Sequence, residues 1–285
     1  MSVADQSTRT GGVTGRSKLS LSDRVSERGG SGFLVTLAGC VLAFLYLPIA
    51  VLIIFSFNDS RTLTLPLGGF TFGWYEKMFA NADLLQSIVN SLYVASFTVL
   101  LTLIVGIPAA IALDRLVFPG KTLFRRLILM PIALPGVITG ISMLNLFRVM
   151  GFNLSLETVI LGHATALLAV TVTQIFARLQ RLPRSMEEAS ADLGANPIQT
   201  FFFVTLPNIK AAIVGTALIC FTISFDEIPV TFFLTGRDNT LPMYIWSTLR
   251  RGITPEINAV GTIIILISLV LIVFSVWLLH EPESK

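Results

Sequence analysis

Six stretches of this 285-residue chain, 33–57, 87–113, 127–147, 158–177, 211–234 and 257–279, are long and almost wholly apolar. A helix needs roughly 20 consecutive apolar residues to cross the hydrocarbon core of a bilayer, so each stretch is long enough to span. Lipid offers the backbone no hydrogen-bonding partner, and a chain of such segments folds there as helices. The expected class is therefore all-α, a polytopic membrane protein with six transmembrane helices. Composition agrees: 53% of residues are hydrophobic and 13% charged, too few to coat a soluble globule of this length.

Lys and Arg placement sets the orientation. With the N-terminus inside, the inner segments carry 14 of these residues and the outer segments 6. Both termini are then cytoplasmic, and so is the loop 179–210 between the fourth and fifth spans. Residues 1–32 are half Ser, Thr and Gly, a composition that cannot bury enough apolar surface to fold alone, and read as a disordered cytoplasmic tail. The expected organisation is that tail, a permease domain over 33–280 and a short cytoplasmic tail at 281–285. The net charge of +3 follows the inner-face bias and points to anionic lipid, with no nucleic-acid partner.

Within the inner loop, Ser185 followed three residues later by Glu188 is a capping-box pattern, with Glu187 and Glu188 in a first turn where the helix dipole favours negative charge. Met186, Ala189 and Leu193 share one helical face, Gly194 suits a left-handed C-terminal cap, and Pro197 blocks simple continuation. A two-turn helix with an apolar face is expected there. It could be an ordinary loop helix, but such a helix requires no particular sequence further along.

The spacing supplies one. Glu188-Ala189-Ser190, three residues, Gly194, nine residues, then Val204-Thr205-Leu206-Pro207 resembles the E-A-A-x3-G-x9-I-x-L-P loop of ABC importer permeases. Ser190 and Val204 depart from the pattern conservatively. Phe70-Thr71-Phe72-Gly73-Trp74-Tyr75, Met130-Pro131-Ile132-Ala133-Leu134-Pro135-Gly136, and Leu241-Pro242-Met243 leading to Gly252-Ile253-Thr254-Pro255-Glu256 are similar to the second permease of spermidine/putrescine-type importers. The resemblance implies a type I ABC importer permease fold in a bacterial inner membrane. It implies that Glu188, Ala189, Gly194, Leu206 and Pro207 form the loop through which a separate ATPase drives the membrane subunit. The implied partners are a second permease in a heterodimer, two ABC ATPase copies and an extracytoplasmic solute-binding protein. The implied cargo is a small organic solute of polyamine type.

Chemistry of the chain's own is sparse. Gly120-Lys121-Thr122 imitates the end of a phosphate-binding loop, but the earlier glycine that loop requires falls at Arg115. No catalytic residue and no metal site is expected, and the chain is expected to carry no cofactor, with ATP and Mg on the partner ATPase. His163 lies alone in the fourth span and reads as a hydrogen-bonding residue of the bundle interior. Asp226-Glu227 in the fifth span is the informative pair. A charged side chain at mid-membrane costs roughly 2.5 to 3.5 kcal/mol on insertion scales, so the carboxylates should face protein or water. Adjacent helical residues point about 100° apart, and both line one path only if it is wide or the helix is broken, as Pro229 allows. Two roles stay open for them: an acidic station for a cationic solute on the translocation path, or a helix-end pair meeting a basic partner. The rival to an ATP-driven importer is a stand-alone ion-coupled carrier using Asp226 and Glu227.

Overall fold

The computed structural model describes residues 21–61, 64–252 and 254–279, with side chains from 32 to 270. The expected tails therefore fall largely outside the described residues. Residues 21–32 differ from expectation. They already belong to helix α1, Leu21–Ser56, since Asp23, Arg24, Glu27 and Arg28 are compatible with helix and Gly alone does not break it. Helix α1 up to Phe55 belongs to one compact unit, and the remaining elements form a second, from Ser56 onward.

That unit is helical throughout, its only β feature among the described residues being a single bridge between Asn58 and Phe70. Short α2, Gly73–Ala80, precedes α3, Ala82–Arg115, which starts with the Asn81 side chain accepting from Leu84 N at 3.1 Å. At 34 residues α3 is about 51 Å long, well beyond the ~30 Å hydrocarbon core. Helix α6, Leu156–Leu179, is the most enclosed of the long helices and crosses α3 closely at Gly106. A Cβ at Gly106 would lie 2.6 Å from Thr171 Cγ2, so only glycine permits this approach. Ala110, Leu113, Val172, Ile175, Leu179 and Ile209 make the core of this crossing.

The third expected span is not one helix. It comprises α4, Lys121–Leu129, a 3₁₀ turn, Met130–Ala133, and α5, Gly136–Val149, the two arms meeting at 110°. The cause is Pro131 and Pro135 in one turn, each without a backbone donor. Helix α4 places Lys121, Arg125 and Arg126 among apolar residues, the pattern of a helix lying in a membrane interface. Gly120, at φ +82°, is the N-cap residue of α4.

The fifth span also departs from expectation. The sequence places it at 211–234, with a loop before it. Instead, helix starts at Pro197 and continues to Phe225 through α8, Pro197–Thr200, a π turn, Phe201–Thr205, and α9, Leu206–Phe225. It stops there, and α10, Pro229–Leu234, is separate. Helix α11, Leu241–Arg251, and α12, Pro255–Leu279, complete the described residues, α12 packing on α2 around Trp74, Met78, Ala259 and Val260.

Candidate functional site

Two short stretches carry the candidate residues, one just after α6 and one at the break after α9. The first is α7, Ser185–Asp192. Its start corrects the expected capping box: Arg184 occupies the cap position with helical angles and no side-chain cap bond forms. The reason is local. The carbonyls of Pro183 and Arg184 already accept from Met186 N at 3.3 Å, Glu187 N at 2.9 Å and Glu188 N at 3.0 Å, leaving Ser185 no first-turn amide to satisfy. The C-terminal end is a Schellman motif around Gly194 at φ +87°, with Ala195 N donating to Ser190 O at 3.1 Å and Gly194 N to Ala191 O at 2.8 Å. Asn196 and Gln199 then cap each other reciprocally to begin α8 at Pro197.

Leu206 and Pro207, expected in the loop, sit at the start of α9 behind the π turn. Pro207 lacks an N–H, and the widened turn before it changes the hydrogen-bond register: Leu206 N bonds to Phe201 O. Val204 O accepts instead from the Asn208 side chain at 2.7 Å, and Asn208 O accepts from Arg178 Nη2 at 3.0 Å.

Glu188 and Ala189 are exposed, as are Met186 and Leu193, the last 90% so. The residue that turns inward is Glu187, to which the sequence assigns only a first-turn electrostatic role. Glu187 pairs with Arg115 at the end of α3, Oε2 lying 3.0 Å from Nε and Oε1 accepting from Nη2 at 3.1 Å. Thr205 Oγ1 donates to the same Oε1 at 2.9 Å. Arg115 lies 72 positions away, a separation no local pattern reveals.

At the second stretch the chain leaves helix at Asp226 and resumes at Pro229. The two acids separate. Asp226 is exposed, while Glu227 folds back to cap α10, accepting from Val230 N at 3.0 Å and Thr231 N at 3.1 Å. Its Oε2 is also 3.3 Å from Nε2 of buried His163, whose ring bonds Ser224 Oγ and Thr231 Oγ1, each at 2.8 Å. His163 is thus tied to both sides of the break, a partnership with a carboxylate that its sequence spacing did not announce. Helix α10 is seated on glycines. A Cβ at Gly140 would lie 2.7 Å from Phe233 and one at Gly162 2.5 Å from Leu234. One at Gly136, the first residue of α5, would lie 3.1 Å from Pro229, so the breaks in the third and fifth spans are neighbours. Broken helices that meet inside a membrane protein are characteristic of solute pathways. Among the described residues no group of three or more His, Cys, Asp or Glu is arranged to hold a metal.

This helical fold with a surface helix between its fourth and fifth membrane segments is that of a type I ABC importer permease. It is matched by a permease chain in the crystal structure of a bacterial ABC transporter that imports the acidic polysaccharide alginate, with TM-score 0.66 at 20% identity, covering 92% of this chain and 98% of that one. Residues 102–280 match the family described as binding-protein-dependent transport system inner membrane component, and the chain belongs to that family. Among its relatives are the spermidine/putrescine transport system permease protein PotC of Haemophilus influenzae, 38% identical over 82% of this chain and 91% of the relative. The putrescine transport system permease protein PotI of Escherichia coli is 36% identical over 85% of this chain and 88% of the relative. The protein is accordingly a multi-pass inner membrane component of an ABC transport system.

Proposed function

We propose that this chain forms half of the translocation pathway of an ATP-driven importer for a polyamine of the spermidine or putrescine type. Its partners in that reading are a second, similar permease, two ABC ATPases that bind ATP and Mg, and an extracytoplasmic binding protein that delivers the solute. The chain itself performs no hydrolysis. The observation that carries the proposal is α7: a helix with no buried residue that presents Glu188 and Ala189 outward, with exposed Leu193 as its C-cap, on the side where the Lys and Arg distribution puts the cytosol. An exposed apolar side chain flanked by acids, on a helix fixed by a left-handed glycine, is suited to a docking groove on another protein. ATP binding closes the ATPases, α7 moves with them, and the spans turn from inward- to outward-facing.

The substrate class rests on two supports. The relatives named above are polyamine permeases, and the break after α9 leaves Asp226 exposed as a carboxylate for a cationic solute while Glu227 is engaged in capping α10. The His163–Glu227 pair is the one feature that favours an ion-coupled carrier, since both groups can exchange a proton. Reconstitution separates the readings. Spermidine uptake by the purified complex should require ATP and survive collapse of the proton and Na⁺ gradients. Uptake by this chain alone in liposomes, driven by an ion gradient, would establish the carrier.

A further inference from the structure

Helix α7, like α4 and α8, buries none of its residues. Apolar packing, which holds the long helices α3 and α6 together, therefore contributes little to its position. Behind it lies a cavity of about 320 Å³ lined by residues that include Ile111, Arg115, Leu179 and Glu187. What bridges this loosely filled space is polar. Glu187 and Arg115 form a two-point pair with both side chains mostly enclosed, 21% and 14% exposed. Arg115 is itself held by Asp114, Oδ2 to Nη1 at 2.9 Å, and Arg184 Nη2 donates to Asp114 O at 3.0 Å. The remaining partner of Glu187 is Thr205, a buried residue at the end of the π turn that opens α9.

We infer that Glu187 is a positioning residue that transmits displacement of α7 into two spans at once, into α3 through Arg115 and into α9 through Thr205. The guanidinium meets the carboxylate at two points, a hydrogen bond from Nη2 and an ion-pair contact at Nε, and two contacts resist both translation and rotation where a single one does not. Glu187 and Glu188 then have different duties. Glu188 faces outward to the ATPase, and Glu187 passes the resulting motion inward. The inference rests on the reading of α7 as the ATPase-contacting helix, and the test keeps the two apart.

The complete complex with its ATPase and binding protein is reconstituted with Glu187→Gln, Arg115→Gln, the double variant, Thr205→Val and, as a docking control, Leu193→Asp. Co-purified ATPase, hydrolysis rate and spermidine imported per ATP are measured for each. Glu187→Gln should keep the ATPase bound and hydrolysing while import per ATP falls about tenfold, within the usual range of coupling free energies between sites. The double variant should be no worse than either single one, since each removes the same link. Thr205→Val should lower the ratio by a smaller factor. A ratio unchanged in Glu187→Gln, or single defects that multiply in the double variant, would overturn the inference. If Glu187→Gln does not assemble, Thr205→Val decides, and an unchanged ratio there is equally fatal. Leu193→Asp should release the ATPase. If it does not, the docking reading fails, whatever the Glu187 ratio shows.

Discussion

The cytosolic helix α7 and the intramembrane break after α9 each carry two adjacent carboxylates, and each divides them between an inward and an outward role. In Glu187-Glu188 the first acid turns in to Arg115 and the second is exposed. In Asp226-Glu227 the first is exposed and the second turns in to His163 and the α10 amides. In α7 the roughly 100° between successive helical residues imposes the split, and at Asp226-Glu227 the break between α9 and α10 imposes it. Near the cytosol a long arginine reaches across a cavity. Within the membrane backbone amides at a helix start and an imidazole do the same work. The supports differ more than the acids do: α7 buries no residue, whereas α10 buries Val230, Thr231 and Leu234 on a seat of glycines. The first arrangement suits a helix that is pushed by a partner. The second suits a fixed wall beside a path.

The largest effect expected from breaking this comparison is at α7. Glu188→Lys or Gly194→Asp should abolish uptake with the protein still at normal abundance in the membrane, as read by solute accumulation and immunoblotting of membrane fractions. Gly194 is included because its φ of +87° strains any side chain with a Cβ. On the α10 side the same loss of uptake should come with loss of protein. Gly140→Leu overpacks against Phe233 and the backbone of Val230, at a cost of about 1–3 kcal/mol, visible as a lower thermal midpoint in detergent. Gly215→Ala, where nothing lies within 4 Å, should leave that midpoint unchanged or raise it.

How legible these features are in the sequence depends on their range. The apolar runs, the left-handed Gly194 and the doublet-bearing segments are local, and spacing alone locates them. The bend in the third span has a local cause in Pro131 and Pro135, whereas its 110° angle is set by tertiary packing that no local pattern encodes. The helix over 197–210 is hidden in the sequence because Pro197 blocks continuation of α7, whereas it also begins α8, and Pro207 follows a π turn at the start of α9. Glu187–Arg115 and Glu227–His163 join residues 72 and 64 positions apart, and only tertiary packing brings them together.

Swapping acids for amides within the second doublet sharpens the division. Asp226→Asn should slow import with the complex intact, whereas Glu227→Gln should lower stability by about 1–3 kcal/mol by weakening a partly buried charged cap. Equal thermal midpoints for the two variants would dissolve the distinction. The smallest effect belongs to Ser185→Ala. A true N-cap serine contributes about 1 kcal/mol, but Ser185 caps nothing here, and its replacement should shift stability by less than about 0.5 kcal/mol.

The central claim, that α7 is the surface through which a separate ATPase acts, is tested most directly by cross-linking from its most exposed side chain. In a background with Cys40 and Cys220 replaced by serine, Leu193→Cys carrying a short photoactivatable linker is illuminated in membranes that also contain the partner subunits, and the conjugate is identified by mass spectrometry. The account predicts one dominant conjugate with an ATP-binding polypeptide, reduced when Glu188→Lys is added, and labelling of position 193 only from the cytosolic side. Labelling from the outer side, or no conjugate with an ATP-binding polypeptide while uptake proceeds normally, would contradict it.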